Sequence, residues 1–165
     1  MITMNLSGSD NCRVAVVAWA RWLMKNKAGN IHYAEIRPIP LVKPIQHAFP
    51  IHTDCSGFVT LCYYLAGVDS DPNGERWTGQ GYTGTLLTHG KKIPVGQVLP
   101  GDVVVYGQYP GVHAALVLNG GIYPLTISHG EEGDPSLVHT SQDGRQPKTF
   151  LRFPMKGKIQ LPPST

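Results

Sequence analysis

The chain has 165 residues, with 14 Lys and Arg against 11 Asp and Glu, for a formal net charge of +3. Charged residues make up only 15%, and 19 Gly and 14 Pro interrupt any long periodic segment, which excludes a coiled coil, a collagen-like chain and a long helical bundle. Because 41% of the residues are apolar, the chain can bury a core. We expect one domain over 1–165, with an N-terminal helix in 1–29, a core from about 30 to 155 and a short C-terminal tail.

Several partners are excluded by what the sequence lacks. The longest run of positive residues is the pair Lys91-Lys92, so no nucleic-acid partner is expected. No apolar run approaches the ~20 residues of a membrane span, and no secretory signal is visible, so we expect no membrane insertion. The three cysteines have no Cys-x-x-Cys spacing and the seven histidines are scattered. We therefore expect a monomer without metal or cofactor, made in a reducing cytoplasm.

Two helices are predicted in the first part of the chain. The first covers 9–28, ends at Gly29 and has apolar positions at helical spacing, namely Val14, Val17, Ala18 and Trp22. The proline-rich segment 30–53 has no period and is predicted to be an ordered loop. The second helix covers 55–66, between a cap at Asp54 and a stop at Gly67, with an apolar face of Phe58, Val59, Cys62 and Leu65.

Strands dominate the second part of the chain. A polar, Gly-rich loop is predicted over 69–82, and one or two helical turns over 83–89. Strand-like runs follow at 102–107, 113–118, 122–128 and 149–153. Helices followed by consecutive strands indicate an α+β fold, with N-terminal helices packed on an antiparallel sheet.

The most informative segment is Thr53-Asp54-Cys55-Ser56-Gly57-Phe58-Val59. It places Cys55 in the first turn of a helix, where unpaired backbone N–H groups and the helix dipole favour a thiolate. A thiolate is the attacking form of cysteine, so Cys55 is the candidate nucleophile. Cys62 lies one turn deeper on the apolar face and fits a core residue instead, and Cys12 has no distinguishing surroundings.

A candidate base lies on the strands. The turn Pro100-Gly101-Asp102 begins one strand, a short Gly/Pro loop follows, and His113 opens the next strand. A histidine at the start of a strand has its side chain near the sheet edge, which suits a general base.

Together these segments resemble the NlpC/P60 cysteine peptidases, papain-like enzymes that cut peptidoglycan stem peptides. The resemblance rests on DCSGFV, on PGD about 45 residues later and on HAALV after that, and it covers roughly residues 30 to 140. The stretches IHYAEIRP, TDCSGFVTLCYYLAG, GQGYTGTLL and ISHGEEGDP look like those of endolysins from actinobacteriophages. The resemblance implies Cys55 as nucleophile, His113 as general base and a third polar residue, often histidine, on the following strand.

The third residue must project from the same face of the hairpin as His113. The polar candidates are Asn119, Ser128, His129 and His139. A two-residue turn at 119–120 would pair His113 with Thr126 and send His129 to the other face. A three-residue loop at 119–121 would pair His113 with Ile127, and His129 would then lie diagonally on the same face.

We expect the three-residue loop, and therefore His129 as the third residue. Gly121 can supply the left-handed position that such loops require, and the family pattern favours a histidine at the end of this strand. Pro124 interrupts the strand and is the position where a bulge would change the register.

Residues near the nucleophile are candidates for oxyanion or substrate contacts. Family members carry a tyrosine upstream of the cysteine, and Tyr33 is the upstream tyrosine here. Asp54 and Ser56 flank Cys55, with Asp54 better placed as a helix cap than as a catalytic acid, and the N–H of Cys55 is the expected oxyanion donor. Arg37, Arg76 and Lys91 are candidate cations for stem-peptide carboxylates, the alternative being that they are exposed, solvated side chains.

The resemblance implies a peptidoglycan endopeptidase that cuts between D-glutamate and the diamino acid of the stem peptide. It would be a phage-type lysin or virion-associated wall hydrolase, made in the host bacterial cytoplasm and acting on the wall after release. Alternatives are an N-acetylmuramoyl-L-alanine amidase, a papain-like acyltransferase and a non-catalytic wall-binding module. The presence of both Cys55 and His113 argues against the last.

Overall fold

A computed structural model describes residues 8–130 and 135–164. Within these ranges the helices are α1 (Gly8–Lys25), α2 (Cys55–Ala66) and α3 (Thr83–His89). The strands are β1 (Ile31–Tyr33), β2 (Ile51–Thr53), β3 (Lys91–Ile93), β4 (Val103–Tyr106), β5 (His113–Asn119), β6 (Leu125–Ser128), β7 (Ser136–His139) and β8 (Lys148–Arg152). Residues 131–134 of the ISHGEEGDP stretch, and the two ends of the expected 1–165 domain, lie outside the described residues.

The main sheet has six strands in the order β3-β8-β4-β5-β6-β7, and each neighbouring pair is antiparallel. One face packs on α1 and α2 through a core that includes Val105, Leu116 and Ile127. The opposite face carries a smaller apolar cluster around Val104, Val117 and Phe150. This arrangement confirms the predicted α+β class with an antiparallel sheet.

Helix α1 is present, but its buried face differs from the predicted one. Its buried apolar residues are Cys12, Ala15, Val16, Trp19, Ala20 and Leu23, whereas Val14 is 52% exposed. Of the predicted positions, Val17 and Trp22 are partly buried against the core, whereas Val14 does not contribute to it. The buried stripe combines the small residues Ala15 and Ala20 with larger ones such as Trp19 and Leu23.

Helix α2 has the bounds that the sequence predicts. The Asp54 carboxylate accepts a hydrogen bond from the Gly57 N–H at 2.8 Å, which is an N-cap. Gly67 ends the helix at φ +85°, where a Cβ would lie 2.1 Å from the Lys158 carbonyl oxygen, so only glycine fits. Eleven of its twelve residues are buried, and α2 is therefore the central helix of the fold.

The segment 30–53 is more regular than the loop that was predicted. Strands β1 and β2 pair in parallel, with Ile31 opposite Ile51 and Tyr33 opposite Thr53, and a short 3₁₀ helix (Ile45–Ala48) lies between them. Strands of three residues are too short for an alternating pattern to show in the sequence. The pair brings Tyr33 next to the start of α2, because β2 leads directly into Asp54 and Cys55.

The β5–β6 hairpin has neither of the predicted registers. Ala115 pairs with Ser128 and Val117 with Thr126, and a bulge lies between Val117 and Asn119. The loop is longer than either turn considered, because Pro124 keeps the residues before Leu125 out of the strand. The side chains of His113 and Ser128 therefore project from one face, since His113 lies two residues before Ala115, and His129 projects from the other.

The turn before β4 is held by a buried carboxylate. Asp102 is fully buried and pairs with Arg13 of α1 at 2.9 Å and with Arg152 of β8 at 2.8 Å. Its carboxylate also accepts the Leu99 N–H at 2.8 Å. The aspartate of the PGD sequence is thus a structural connection between α1, the sheet and the turn.

Candidate active site

Cys55 lies at the first turn of α2, with only 8% of its surface exposed. Its sulfur accepts hydrogen bonds from backbone N–H groups, including that of Ala114, the residue after His113. These bonds favour the thiolate, but burial and the nearby Asp54 carboxylate outweigh them and raise the pKa of Cys55 to about 11. The helix terminus thus favours the thiolate as expected, but desolvation outweighs its effect.

His113 is 5% exposed at the start of β5. Its Nε2 lies 2.6 Å from the Ser128 hydroxyl oxygen across the hairpin. The Cys55 sulfur is hydrogen-bonded to the backbone N–H of Ala114, the residue next to His113. The structure therefore brings a thiol, an imidazole and a hydroxyl to one end of β5. These are the groups that a cysteine nucleophile and its base require.

His129 does not occupy the expected position. Its Nδ1 lies 2.8 Å from the Thr53 hydroxyl oxygen, and its ring packs edge-on against Tyr33 and Phe58. The hairpin register explains the difference, because His129 follows Ser128 and so projects from the opposite face of the strand. Ser128, which the sequence offered as an alternative, takes the place beside His113. The other two candidates, Asn119 and His139, are exposed at strand ends.

Tyr33 lies close enough to Cys55 for their charges to interact. Its hydroxyl donates a hydrogen bond to the Glu35 carboxylate at 3.0 Å. Burial, this hydrogen bond and the nearby negative groups raise the pKa of Tyr33, so it stays a neutral donor. The upstream tyrosine is thus near the candidate nucleophile despite its distance in sequence.

Asp54 and Ser56 form a network with Arg37. The Arg37 guanidinium lies 3.0 Å from Asp54 Oδ2 and donates to the Ser56 hydroxyl at 3.2 Å and to the Gly81 carbonyl at 2.7 Å. Asp54 is therefore a cap and an ion-pair partner. Arg37 is not a free cation awaiting a substrate carboxylate, as the sequence had suggested.

A cleft of about 380 Å³ opens at Cys55. Its walls come from the segment after β1, the start of α2, the start of α3 and the loop before β5. They are formed by Glu35, Arg37, Asp54, Cys55, Ser56, Gln80, Tyr82, Thr83, Gly111 and Val112. Arg76 and Lys91 are exposed and do not contribute to these walls. The cleft wall is thus largely polar, and the buried Cys55 is part of it.

Three residues near His113 were not identified from the sequence. Tyr106 lies opposite His113 on β4, and Asp143 and Arg145 lie between β7 and β8. Tyr106 could have been identified by pairing β4 with β5, because the loop between these strands is short. The segment around Asp143 carries no motif.

Within 8–130 and 135–164, no three His, Cys, Asp or Glu side chains are placed together as metal ligands. None of the helices described is both long and apolar enough to cross a membrane.

Solved structures with a similar fold include two peptidoglycan hydrolases. The NlpC/p60 domain of the peptidoglycan hydrolase SagA matches with a TM-score of 0.56 and 21% identity, covering 90% of this chain and all of that one. The peptidoglycan hydrolase RipB from Mycobacterium tuberculosis matches with a TM-score of 0.54 and 21% identity, covering 92% of this chain and 73% of that one. These likenesses confirm the papain-like fold.

At the level of sequence, no curated protein matches the chain. The family model of NlpC/P60 matches residues 43–150, which include Cys55, His113 and Ser128. Because this match covers more than half of the chain and agrees with the fold, the chain belongs to the NlpC/P60 family.

Proposed function

We propose that this protein is a peptidoglycan hydrolase, specifically a cysteine endopeptidase that cuts the stem peptide. One observation carries the proposal. The Cys55 thiol lies in the wall of the cleft, hydrogen-bonded to the backbone N–H of Ala114, and the adjacent His113 is oriented by the Ser128 hydroxyl. A buried thiol of raised pKa needs a neighbouring base before it can attack. His113 is that base.

In the acylation step, His113 takes the proton of the Cys55 thiol and the sulfur attacks the substrate carbonyl carbon. Because Nε2 of His113 contacts Ser128, the other ring nitrogen, Nδ1, carries the transferred proton. The carbonyl oxygen becomes an oxyanion, for which the N–H of Cys55 is the donor. The imidazolium then protonates the leaving amine, the C–N bond breaks, and a thioester to Cys55 remains.

In the deacylation step, a water molecule loses a proton to His113 and attacks the thioester carbon. The C–S bond breaks, the sulfur regains a proton, and the acid product leaves. Ser128 serves both steps by fixing the imidazole ring, so its loss should lower the rate without preventing substrate binding.

The bond we propose is the one between D-glutamate and the diamino acid, as the family resemblance implies. The acyl group is then the side-chain carboxyl of D-glutamate, and the leaving group is an amine of the diamino acid. The Glu35 carboxylate in the cleft wall suits the amine of such a substrate, whereas Asp54 and Arg37 in the same wall already neutralise each other.

The test is a digest of purified sacculi followed by mass spectrometry of the new termini. New diamino-acid amines support the proposal. New L-alanine amines alone would show an amidase instead, and an amide formed with an added amine, without hydrolysis, would show an acyltransferase. Binding without any product would show a wall-binding module. Cys55→Ala should give no product, whereas Cys12→Ala and Cys62→Ala should retain activity, with some loss of stability from the cavity at Cys62.

We also propose that the enzyme acts as a phage-type lysin after release from the cytoplasm of its host. The support is the likeness of IHYAEIRP and GQGYTGTLL to endolysin segments. Cells expressing the protein should stay intact until their membrane is permeabilised with chloroform, and should then lyse. Lysis that is equally rapid without chloroform, or equal lysis by Cys55→Ala, would contradict this role.

A further inference from the structure

His113 is the end of a stack of side chains that the catalytic steps above do not use. Its ring lies against the ring of Tyr106, with centroids 5.8 Å apart and planes inclined by 25°. The guanidinium carbon of Arg145 lies over the same tyrosine ring, 5.5 Å from its centroid. An aromatic face attracts a cation and holds its plane, so Arg145, Tyr106 and His113 constrain one another.

The stack is fixed at its outer end by Asp143. The Asp143 carboxylate accepts hydrogen bonds from the Arg145 guanidinium at 2.6 and 3.0 Å, and from the Arg145 backbone N–H at 3.0 Å. The side chain of Arg145 is 48% exposed, whereas the side chain of Asp143 is only 11% exposed. Because the largely buried Asp143 carboxylate already holds the half-exposed Arg145, this side chain loses little further conformational entropy when it lies over the Tyr106 ring.

Burial opposes the charge of Asp143, but its hydrogen bonds to Arg145 and, to a smaller extent, the charge of His113 keep the pKa of Asp143 below its usual value. Coupling between two charged groups is reciprocal, so Asp143 must favour the protonated imidazole to the same extent. The described groups that face His113 include Tyr106 from β4, Ser128 from β6 and Asp143 with Arg145 from the segment before β8, with Cys55 beside Ala114.

We propose that Tyr106, Arg145 and Asp143 are positioning residues for His113: the tyrosine and arginine fix the plane of the imidazole, and the carboxylate stabilises the imidazolium. This inference rests on the proposed function in treating His113 as the base. The stack itself lies outside the cleft walls, and its effect on the imidazole is measurable without any substrate.

The first test is an NMR titration of the His113 ring in the full chain, with the resonance assigned from His113→Gln. Asp143→Asn should lower the pKa of His113 by about 0.5 to 1, less than for an unscreened pair because Arg145 neutralises part of the carboxylate's charge. Arg145→Gln should raise it, because the carboxylate is then uncompensated. Arg21→Gln removes the same charge from an exposed position on α1 and should leave the titration unchanged.

An unchanged His113 titration in Asp143→Asn would overturn the role of the carboxylate, and an unchanged or lowered pKa in Arg145→Gln would overturn that of the arginine. Thermal unfolding can establish that both variants fold. The titration is informative even if wall hydrolysis is never detected, which separates this proposal from the proposed function.

The second test uses wall hydrolysis and the aromatic ring. Tyr106→Leu should lower kcat by roughly tenfold, because a less constrained imidazole is misplaced, while KM changes little. Tyr106→Phe should restore most of the rate, since it keeps the ring. Equal losses of kcat in the two variants, or a change confined to KM, would overturn the positioning role of the ring.

Discussion

At Cys55, two opposing influences act on one sulfur atom. Hydrogen bonds from backbone N–H groups favour its negative charge, while burial and the Asp54 carboxylate oppose it and raise its pKa to about 11. Asp54, which caps α2 and pairs with Arg37, therefore also disfavours the thiolate form of Cys55. Free thiolate is therefore scarce at neutral pH, and reactivity depends on proton transfer to His113.

This dependence predicts how Cys55 reacts with iodoacetamide as the pH is raised. In His113→Ala, the alkylation rate at Cys55 should keep rising towards pH 11, because the thiol then titrates with its own raised pKa. The unaltered protein should show an additional reactive phase at lower pH, from the thiolate–imidazolium pair. Peptide mapping measures the label at each cysteine, with buried Cys62 as the internal control. Identical pH profiles would contradict the assignment of His113 as base.

A second prediction separates the two neighbours at the end of β6. Ser128→Ala removes the hydroxyl at 2.6 Å from His113 and should lower kcat by roughly ten- to a hundredfold. His129→Ala should instead lower stability by about 2 to 4 kcal/mol, because it leaves a cavity between Tyr33 and Phe58.

For both variants, initial rates of sacculus hydrolysis measure the activity, and urea unfolding measures the stability. The reverse pattern, with kcat reduced mainly in His129→Ala at normal stability, would mean that the hairpin register in solution differs from the one described here.

Among the elements, the turn before β4 offers the sharpest stability prediction. Asp102→Asn leaves Arg13 and Arg152 without a counter-charge, and Arg13 is itself buried, so the free energy of unfolding should fall by about 3 to 5 kcal/mol. Asp69→Asn, at an exposed position, removes the same charge and should change it by less than about 0.5 kcal/mol. Urea unfolding followed by circular dichroism measures both, and equal stabilities would contradict the structural role of Asp102.

The elements also show what sequence patterns can predict. Helix α2 was predicted with its bounds because its cap, its apolar face and its terminal glycine are all local. The strands β1, β2, β3 and β7 were missed because they are only three or four residues long. The general position of the site followed from the DCSGFV motif and the strand that begins at His113.

The third site residue depended on information that no local pattern contains. Its identity is decided by the β5–β6 register, and the register depends on a five-residue connection, 120–124, in which Pro124 and a nearby bulge displace the pairing. A shift by an odd number of residues exchanges Ser128 and His129 between faces. The contribution of Asp143 and Arg145 was equally hidden, because it depends on how a segment between β7 and β8 packs against Tyr106.

For the molecule as a whole, the buried thiols and phenols predict a loss of stability in alkali. Burial raises the pKa of Cys55, Cys62 and Tyr63 in the folded chain. From about pH 9 the unfolded chain releases cysteine protons that the folded chain keeps, so the free energy of unfolding is fully retained below pH 9 and falls above it. Each such group contributes about 1.4 kcal/mol per pH unit until its folded pKa is reached.

Urea unfolding at a series of pH values from 7 to about 10.5 measures this effect. Cys62→Val is the matched control, because it keeps an apolar side chain of similar size and removes one titrating thiol. Above pH 9 the free energy of unfolding should fall less steeply for Cys62→Val than for the unaltered protein. The two slopes should differ by about 1.4 kcal/mol per pH unit. Parallel curves for the two proteins would show that Cys62 does not retain its proton on folding.

The ion pairs of Asp102 also determine how much chain must be moved to build a chimeric enzyme. Both arginines lie outside residues 43–150, the part matched by the family model. The same is true of Trp19, whose indole N–H donates to the Gln160 carbonyl at 2.9 Å and ties α1 to the last described residues. A graft limited to 43–150 would carry a buried aspartate with neither of its counter-ions, so the transferable module runs from α1 to at least Gln160.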